Sequence, residues 1–252
     1  MAGFIFCKNV KGNTAYTSNG SVTFKKVVFA THFPFLNRYG LYFLKMYQHR
    51  SYVLALKNAP NLSGMYVDEC DKGLSLRNYK NYLIVAGGGS KTGCKSGGFD
   101  EIIRLCSLYY PKAEIEYKFA AQDCMTLDKL PYIGKYSYMK SNYFVATGFN
   151  TWGMTNAMVA ADLLCDMITN KQNELSAIFN PQRCVFTLQL LCNAFSAIKN
   201  LITPTAPRCS HMGCALKWNR QEKVWECPCH GSRFSENGKI LDNPTTKEKS
   251  FN

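Results

Sequence analysis

Cysteine and histidine residues are concentrated near the C-terminal end of the chain, in two short segments. Residues 209–214 read C-S-H-M-G-C, and residues 227–232 read C-P-C-H-G-S. The first segment contains a C-x-H pair and the second a C-x-x-H pair, each with one additional cysteine. Because thiolate and imidazole are preferred ligands of zinc and iron, this arrangement indicates a metal site.

Zinc is one candidate for this site, and a metal-free disulfide knot is another. Zinc fingers and ribbons usually show C-x2-C or H-x3-H spacing, which differs from the spacing found here. Zinc would also leave the additional cysteines, Cys214 and Cys229, without a role at their matching positions. The spacing therefore differs from that of an ordinary zinc finger or ribbon. Zinc and a metal-free disulfide knot both stay open as alternatives.

The two segments resemble the Rieske iron–sulfur proteins, whose loops read C-T-H-x-G-C and C-P-C-H-G-S. Only Ser210 departs from that pattern. The resemblance implies that Cys209 and Cys227 bind one iron of a [2Fe–2S] cluster, and that His211 and His230 bind the other. Two neutral imidazoles leave the oxidised cluster uncharged, which raises its reduction potential above that of an all-cysteine site.

The resemblance also assigns roles to residues around the cluster. It implies a disulfide between Cys214 and Cys229 that joins the two loops, and a hydroxyl of Ser232 that donates to a cluster sulfide. Phe234 occupies the position at which high-potential members carry tyrosine. Because a phenylalanine cannot donate a hydrogen bond to a ligand sulfur, we expect a lower potential than in those members.

The composition describes a folded protein with a basic surface. The chain has 252 residues, of which 46% are hydrophobic and 19% charged, and its formal net charge is +13. The basic residues are scattered, so we predict a solvated surface and no nucleic-acid partner. The apolar start ends at Lys8, too early for a signal peptide, and residues 184–198 are too short for a membrane span. We therefore expect a cytoplasmic protein whose scattered cysteines are free thiols.

Hydrophobic periodicity predicts the elements that position these loops. A hairpin is expected around Ser18-Asn19-Gly20, and two prolines mark a linker at 203–207. Trp218 and Trp225 are expected to pack the core of the last module. The predicted strands lie at 14–17, 22–24, 27–30, 52–56, 82–86, 115–119 and 143–147, and the predicted helices at 99–110, 153–169 and 186–201.

Three further segments resemble FAD-dependent oxidoreductases of the glycine/D-amino-acid-oxidase type with a C-terminal Rieske domain. They are V-V-F-A-T-H-F-P at 27–34, A-Q-D-C-M-T-L-D-K-L-P-Y-I-G at 121–134 and A-T-G-F-N-T-W-G-M-T at 146–155. In the third, glycines allow a close approach to a planar ring, and the following helix directs its amides at an electron-rich group. An ordinary strand–turn–helix is the alternative. The FAD contacts that the resemblance implies are Ala30, Thr31, Gly148, Phe149, Asn150, Gly153 and Met154.

Two departures from that family pattern shape our expectations. The family begins with a strand, G-x-G-x-x-G and a helix, whereas the glycine-rich stretch at 87–93 fits neither this motif nor a P-loop. The family also places several strands where this chain has only a linker between Leu201 and Cys209. We therefore expect a truncated, internally deleted relative with doubtful FAD binding, and cluster loops that lack their supporting sheet.

Together these inferences predict an α+β fold: a mixed or antiparallel sheet with helices, a linker helix and a small all-β module. The expected domains are a partial FAD-dependent oxidoreductase at 1–180, a helix and linker at 181–204 and a Rieske domain at 205–252. The expected function is electron transfer by a [2Fe–2S] oxidoreductase; the alternatives are a zinc-binding structural module and a non-functional remnant. Expected partners are a redox protein or small-molecule electron donor or acceptor, and a chain that carries the missing nucleotide-binding part.

Overall fold

The computed structural model describes residues 7–36, 39–70, 73–204 and 207–251. Its helices are α1 (Tyr42–Lys45), α2 (Gly98–Tyr109), α3 (Gly153–Ile168), α4 (Leu175–Ile178) and α5 (Leu188–Ile202). Its strands are β1 (Cys7–Lys11), β2 (Thr14–Thr17), β3 (Gly20–Thr23), β4 (Val27–Phe29), β5 (Met46–Lys57), β6 (Tyr66–Val67), β7 (Ser75–Tyr79), β8 (Tyr82–Lys91), β9 (Glu114–Thr126), β10 (Tyr132–Ser137), β11 (Lys140–Thr147), β12 (Lys217–Asn219), β13 (Val224–Glu226), β14 (Arg233–Ser235) and β15 (Ile240–Asp242).

The largest sheet has five antiparallel strands in the order β6-β7-β8-β5-β9. On β5, Tyr52, Leu54 and Leu56 alternate towards one face, as expected for a strand, and are buried. Helix α2 covers this face with Phe99 and Ile102, three residues apart on one helical surface. The three long strands β8, β5 and β9 lie side by side in this sheet, with β9 at its edge.

A second sheet has the order β10-β11-β4, and its edge strand β4 runs parallel to β11. Aromatic side chains fill the space beside it: the rings of Phe29 and Tyr136 lie 5.0 Å apart in an edge-to-face arrangement. Helix α3 packs on β10 and β11 through Leu163 and other apolar side chains. Strands β1, β2 and β3 form a separate antiparallel sheet that contains the predicted hairpin.

The C-terminal module, which we define as residues 207–251, contains the antiparallel sheet β12-β13-β14-β15. Trp218 and Trp225 are cross-strand neighbours with ring centroids 5.1 Å apart, which places both on the module's own sheet. None of the described helices combines the length and the apolar character that crossing a bilayer requires. The predicted α+β class, with mixed sheets, few helices and a small all-β module, is confirmed.

A buried charge network joins the five-stranded sheet to the C-terminal module. The guanidinium groups of Arg50 on β5 and Arg233 on β14 share the carboxylate of Glu222, with Arg233 2.7 Å from it. Arg233 also contacts Asp242 at 2.9 Å. Because both arginines and Glu222 are largely removed from water, each charge depends on its partners for compensation.

Loss of the shared carboxylate should leave Arg50 with only the more distant and more exposed Asp242, and should remove one of the acidic partners of Arg233. We expect Glu222→Gln to lower the free energy of unfolding by about 3 kcal/mol, measured by urea denaturation. The control is Glu116→Gln, which removes an exposed carboxylate 4.0 Å from Lys57 and should cost less than about 1 kcal/mol. Equal losses in the two variants would contradict a buried, shared network.

Candidate metal centre

The two Cys/His segments form loops with the same backbone closure. In the first loop, the amide of Cys209 donates to the carbonyl of Cys214 (2.8 Å), and that of Gly213 donates to Cys209 (2.9 Å). In the second loop, the amides of Cys227 and Gly231 make the equivalent bonds to Ser232 (2.8 Å) and Cys227 (2.9 Å). Two equal tight turns therefore present the same kinds of side chain from two neighbouring chain segments.

The thiols of the two loops converge in the interior of the module. The sulfur atoms of Cys214, Cys227 and Cys229 all lie within 4.8 Å of one another, and all three residues are buried. Cys209 is also buried, and its pKa is raised by the neighbouring Cys227 thiol and by desolvation. Cys214 and Cys229 are present as free thiols, so the disulfide between them stays a prediction.

The two histidines face each other beside these thiols. The ring centroids of His211 and His230 are 5.0 Å apart, and the ring planes are nearly perpendicular at 87°. Burial lowers the pKa of His211 to about 4 and that of His230 to about 3, so both imidazoles are neutral at pH 7. Neutral imidazole is the form that binds metals.

The buried ring of His230 has a feature that is typical of a metal ligand. Its exposed fraction is 2%, and its buried Nδ1 atom has no hydrogen-bond partner among the described residues. Buried polar atoms are normally satisfied, so an orphaned nitrogen on a loop that also carries buried thiols fits a metal-ligand role. The donor set of four cysteines and two histidines suits an iron–sulfur cluster with mixed ligands.

Ser232 and Phe234 lie against the predicted cluster site. The Ser232 hydroxyl accepts a hydrogen bond from the amide of Thr245 (3.2 Å), and its bond to the Cys209 thiol lowers the pKa of that thiol. Phe234 is fully buried in the apolar core that the four cysteines share, and its ring lies 5.5 Å from that of Phe251. Phe234 thus brings apolar surface and no hydrogen-bond donor to the site.

The second loop rests on the five-stranded sheet, so the expectation of loops without a supporting sheet is wrong. The Gln122 amide on β9 donates to the carbonyl of Gly231 (2.9 Å), and the Gly93 amide donates to Glu226 (3.1 Å). A Cβ at Gly93 would lie 2.7 Å from Cα of Pro228, so glycine allows the two backbones to meet. The module's own four strands and this sheet together hold the loops.

The sequence did not indicate that two phenylalanine rings pack against His230. Phe33 and Phe43 come from the N-terminal half of the chain, and their ring centroids lie 6.2 and 5.9 Å from that of His230. No local pattern marks these two phenylalanines as site residues, because their role depends on how distant segments pack. They shield one predicted ligand from water, whereas His211 on the first loop is half-buried.

Most residues predicted to contact FAD line one small pocket. It has a volume of about 220 Å³ and is formed at the end of β11, where the chain turns into α3. Thr31 instead lines a neighbouring cavity of about 1140 Å³, and Met154 lies on the surface. The pocket contains the predicted contacts Ala30, Gly148, Phe149, Asn150 and Gly153, together with His32, Asp123 and Cys124, which sequence reasoning did not select.

Gln48 connects this pocket to the second cluster loop. Its side-chain oxygen lies 3.3 Å from Nε2 of His32, and its amide donates to the Cys124 sulfur at 3.1 Å. Its aliphatic part packs so closely on Gly231 that a Cβ there would lie 2.5 Å from Cβ of Gln48. The pocket and the cluster loop are therefore separated by one layer of side chains.

The fold and these two sites describe a flavoprotein-like α+β domain joined to an iron–sulfur module. Residues 6–167 match the family model for FAD dependent oxidoreductases, and residues 187–252 match the Rieske [2Fe-2S] domain. The chain belongs to the FAD dependent oxidoreductase family and carries a Rieske domain at its C-terminal end. A Rieske domain implies a [2Fe–2S] cluster.

Individual proteins are similar to most of this chain or to a short part of it. YhfW of Bacillus subtilis, whose name describes it as a Rieske 2Fe-2S iron-sulfur protein, is 31% identical over 282 residues, which cover 91% of this chain and 55% of that protein. The cytochrome b6-f complex iron-sulfur subunit of Synechococcus is 44% identical over 39 residues, 16% of this chain and 23% of its own. The chain spans about half the length of YhfW.

Solved structures show the fold of the larger part. Glycine oxidase from Geobacillus kaustophilus aligns with a TM-score of 0.59 and 19% identity, over 73% of this chain and 52% of its own. L-proline dehydrogenase from P. horikoshii aligns with a TM-score of 0.56 and 16% identity, over 71% and 53%. At these identities the similarity establishes a shared fold.

The contact between Gln48 and Gly231 allows a matched test of how the loop is held. Gly231 and Gly213 have nearly equal positive φ angles of 76° and 78°, but a Cβ at Gly213 meets no atom within 4 Å. Gly213→Ala should therefore cost only the backbone strain, roughly 1–2 kcal/mol. Gly231→Ala should cost a further 1–3 kcal/mol or so, because the new methyl group overlaps Gln48.

Both variants are measured by urea denaturation of the full chain. A second readout is iron incorporation during anaerobic expression, which should fall more in Gly231→Ala than in Gly213→Ala. Equal losses of stability in the two variants would show that the close packing on Gln48 does not constrain the loop.

Proposed function

We propose that this chain is an electron-transfer unit of a flavin-dependent oxidoreductase, in which Cys209 and Cys227 hold one iron of a [2Fe–2S] cluster and His211 and His230 hold the other. The observation that carries this proposal is the orphaned, buried Nδ1 of His230, together with the nearby half-buried imidazole of His211 and the converging thiols of the two loops. When bound, the cluster supplies one-electron redox chemistry. The partner of this exchange is a redox protein or a small-molecule electron donor or acceptor.

The surrounding residues prepare the site for these ligands. Burial keeps the pKa of both histidines low, so no proton has to leave before an imidazole binds iron. Phe33 and Phe43 exclude water from the His230 side, and Ser232 holds its hydroxyl at the Cys209 sulfur. The thiols of Cys214 and Cys229 lie close enough to form the proposed disulfide once oxidised.

The flavin side of the proposal rests on the pocket at the start of α3. Gly148 has φ 71°, and the Asn150 side chain accepts from the Thr126 amide (2.8 Å), so the turn is fixed against β9. We propose that this turn contacts a flavin ring edge and that Ala30, Thr31, Phe149, Gly153 and Met154 lie around it. We also propose a cytoplasmic location, because eight cysteines scattered from Cys7 to Cys192 suit a reducing compartment.

The nucleotide-binding part of such a flavoprotein would have a surface to dock on. Strand β4 is an edge strand that runs parallel to β11, so its outer side can pair with another parallel strand. Met154 and Met158 on α3, the helix that packs on β10 and β11 of the same sheet, expose apolar side chains. We propose that the part supplying the dinucleotide-binding motif covers this edge, whether it belongs to a longer form of the chain or to a partner chain.

The spectrum of anaerobically purified protein tests the proposed centre. We expect iron and acid-labile sulfide at two each per chain, charge-transfer bands and a reduced-state EPR signal of a histidine-ligated cluster. His211→Cys should shift the bands and the EPR signal, because it exchanges a neutral ligand for a thiolate. His49→Cys, the matched control on β5, should leave both unchanged. Colourless protein with stoichiometric zinc, or no response to His211→Cys, would refute the assignment.

Lys91 provides a second, electrostatic test of the proposed centre. The ammonium of Lys91 donates to Asn193 (3.0 Å), is partly desolvated, and lowers the pKa of His230 by its positive charge. A nearby cation favours the reduced cluster, which carries one more negative charge. Lys91→Gln should therefore lower the reduction potential by tens of millivolts, since ~59 mV corresponds to ~1.4 kcal/mol for one electron.

Lys91→Arg is the matched variant that keeps the charge, and its potential should stay near that of the parent protein. Both potentials are measured by EPR-monitored redox titration. Equal shifts in Lys91→Gln and Lys91→Arg would show that packing, and not charge, accounts for the effect.

A further inference from the structure

Helix α5 is oriented against the usual rule for a surface helix. Its inner face carries small and polar residues: Asn193 donates to the Leu44 carbonyl (3.3 Å), and Ala197 packs on the core of the C-terminal module. The carbonyl of Asn200 accepts from the Ala215 amide (2.9 Å). A surface helix normally turns its large apolar side chains inward, so this helix has the opposite polarity.

Most of the large apolar residues of α5 lie on the side that faces away from the protein, whereas Leu190 is half-buried. We define the outer stripe as Leu188, Leu191, Phe195, Ile198 and Ile202. Their exposed fractions include 82% for Leu188, 70% for Phe195 and 75% for Ile202. Successive members are separated by three, four, three and four residues, which is the spacing of the contact positions in paired helices.

The outer stripe has the size and charge of an interface between helices. Helix α5 is about 22 Å long, and a side chain of this type buries on the order of 100–200 Å² when fully covered. The stripe therefore presents several hundred Å² of apolar surface, and a standard interface buries ~800 Å² per partner. Lys199 is the only charged residue of the helix, so nothing in it repels an identical helix.

We propose that the outer stripe binds a second copy of this chain, with the two α5 helices packed against each other across a two-fold axis. A two-fold interface requires a patch that is complementary to itself, and a stripe of apolar residues at helix-pairing spacing meets that requirement. Helices that lie on membranes have a polar face rich in Lys and Arg, whereas the polar face of α5 is bonded to its own protein.

The proposal is tested on the full chain by sedimentation velocity and light scattering at micromolar concentration. We expect a particle of twice the 28.5 kDa mass of one chain. Phe195→Glu and Ile198→Glu place a carboxylate in the stripe without touching the fold, and should weaken the dimer on the order of a hundredfold or more. Met139→Glu, at another exposed apolar residue in the turn between β10 and β11, should leave the dimer intact.

Three results would overturn the proposal. The first is that the parent protein is a monomer. This result includes the cases in which α5 binds phosphatidylglycerol vesicles or a separate nucleotide-binding chain. The second is a dimer that persists in both glutamate variants. The third is an equal loss of the dimer in Met139→Glu. Circular dichroism of each variant confirms that the chain has kept its fold, and none of these outcomes depends on iron.

Discussion

The contact between the second cluster loop and the five-stranded sheet is the constraint on which the rest of the structure depends. The Gly93 backbone lies against the Pro228 backbone, and the Gly231 backbone lies against the Gln48 side chain, so closely that neither glycine has room for a side chain. The carbonyl of Gly231 is fixed by Gln122, and Glu226 is fixed by the Gly93 amide. A loop that carries metal ligands gains precision when rigid strands, and not only its own turns, hold it in place.

The same contact explains the environment of the candidate ligands. Once the loop lies on the sheet, Phe33 and Phe43 close over His230, and water is removed from its ring. Desolvation then lowers the histidine pKa values, which keeps the imidazoles ready for a metal. The buried network of Arg50, Glu222 and Arg233 also joins the sheet to the module, and it pairs charges that would otherwise be too costly to bury.

The interface also places the two candidate cofactor sites next to each other. His32 and Cys124 line the pocket beside α3, and both contact Gln48, whose other side lies against Gly231. This short separation fits a protein in which two redox groups exchange electrons within one chain. The sheet also supports the second cluster loop directly, through the hydrogen bond from Gln122 to Gly231.

The sequence alone determined the chemistry and most of the local structure. Residue types at fixed short spacing identified Cys209, His211, Cys227 and His230, and hydrophobic periodicity identified the hairpin, α2, α3 and α5. These are local signals, because a loop motif or a helix face is determined by residues that lie close together in the chain. The glycine turn at 148–150 belongs to the same kind of signal, and the structure places it at a pocket.

Only the tertiary structure decided what surrounds those residues. Gln48, Phe33 and Phe43 contact a loop some two hundred positions away in the chain. Helix α5 turns large apolar side chains outward. Both features follow from the way the sheets and the C-terminal module pack. Such contacts join residues far apart in the chain, and no spacing rule encodes them. The sequence identified the candidate ligands, whereas contacts with distant parts of the chain determined their burial, charge state and support.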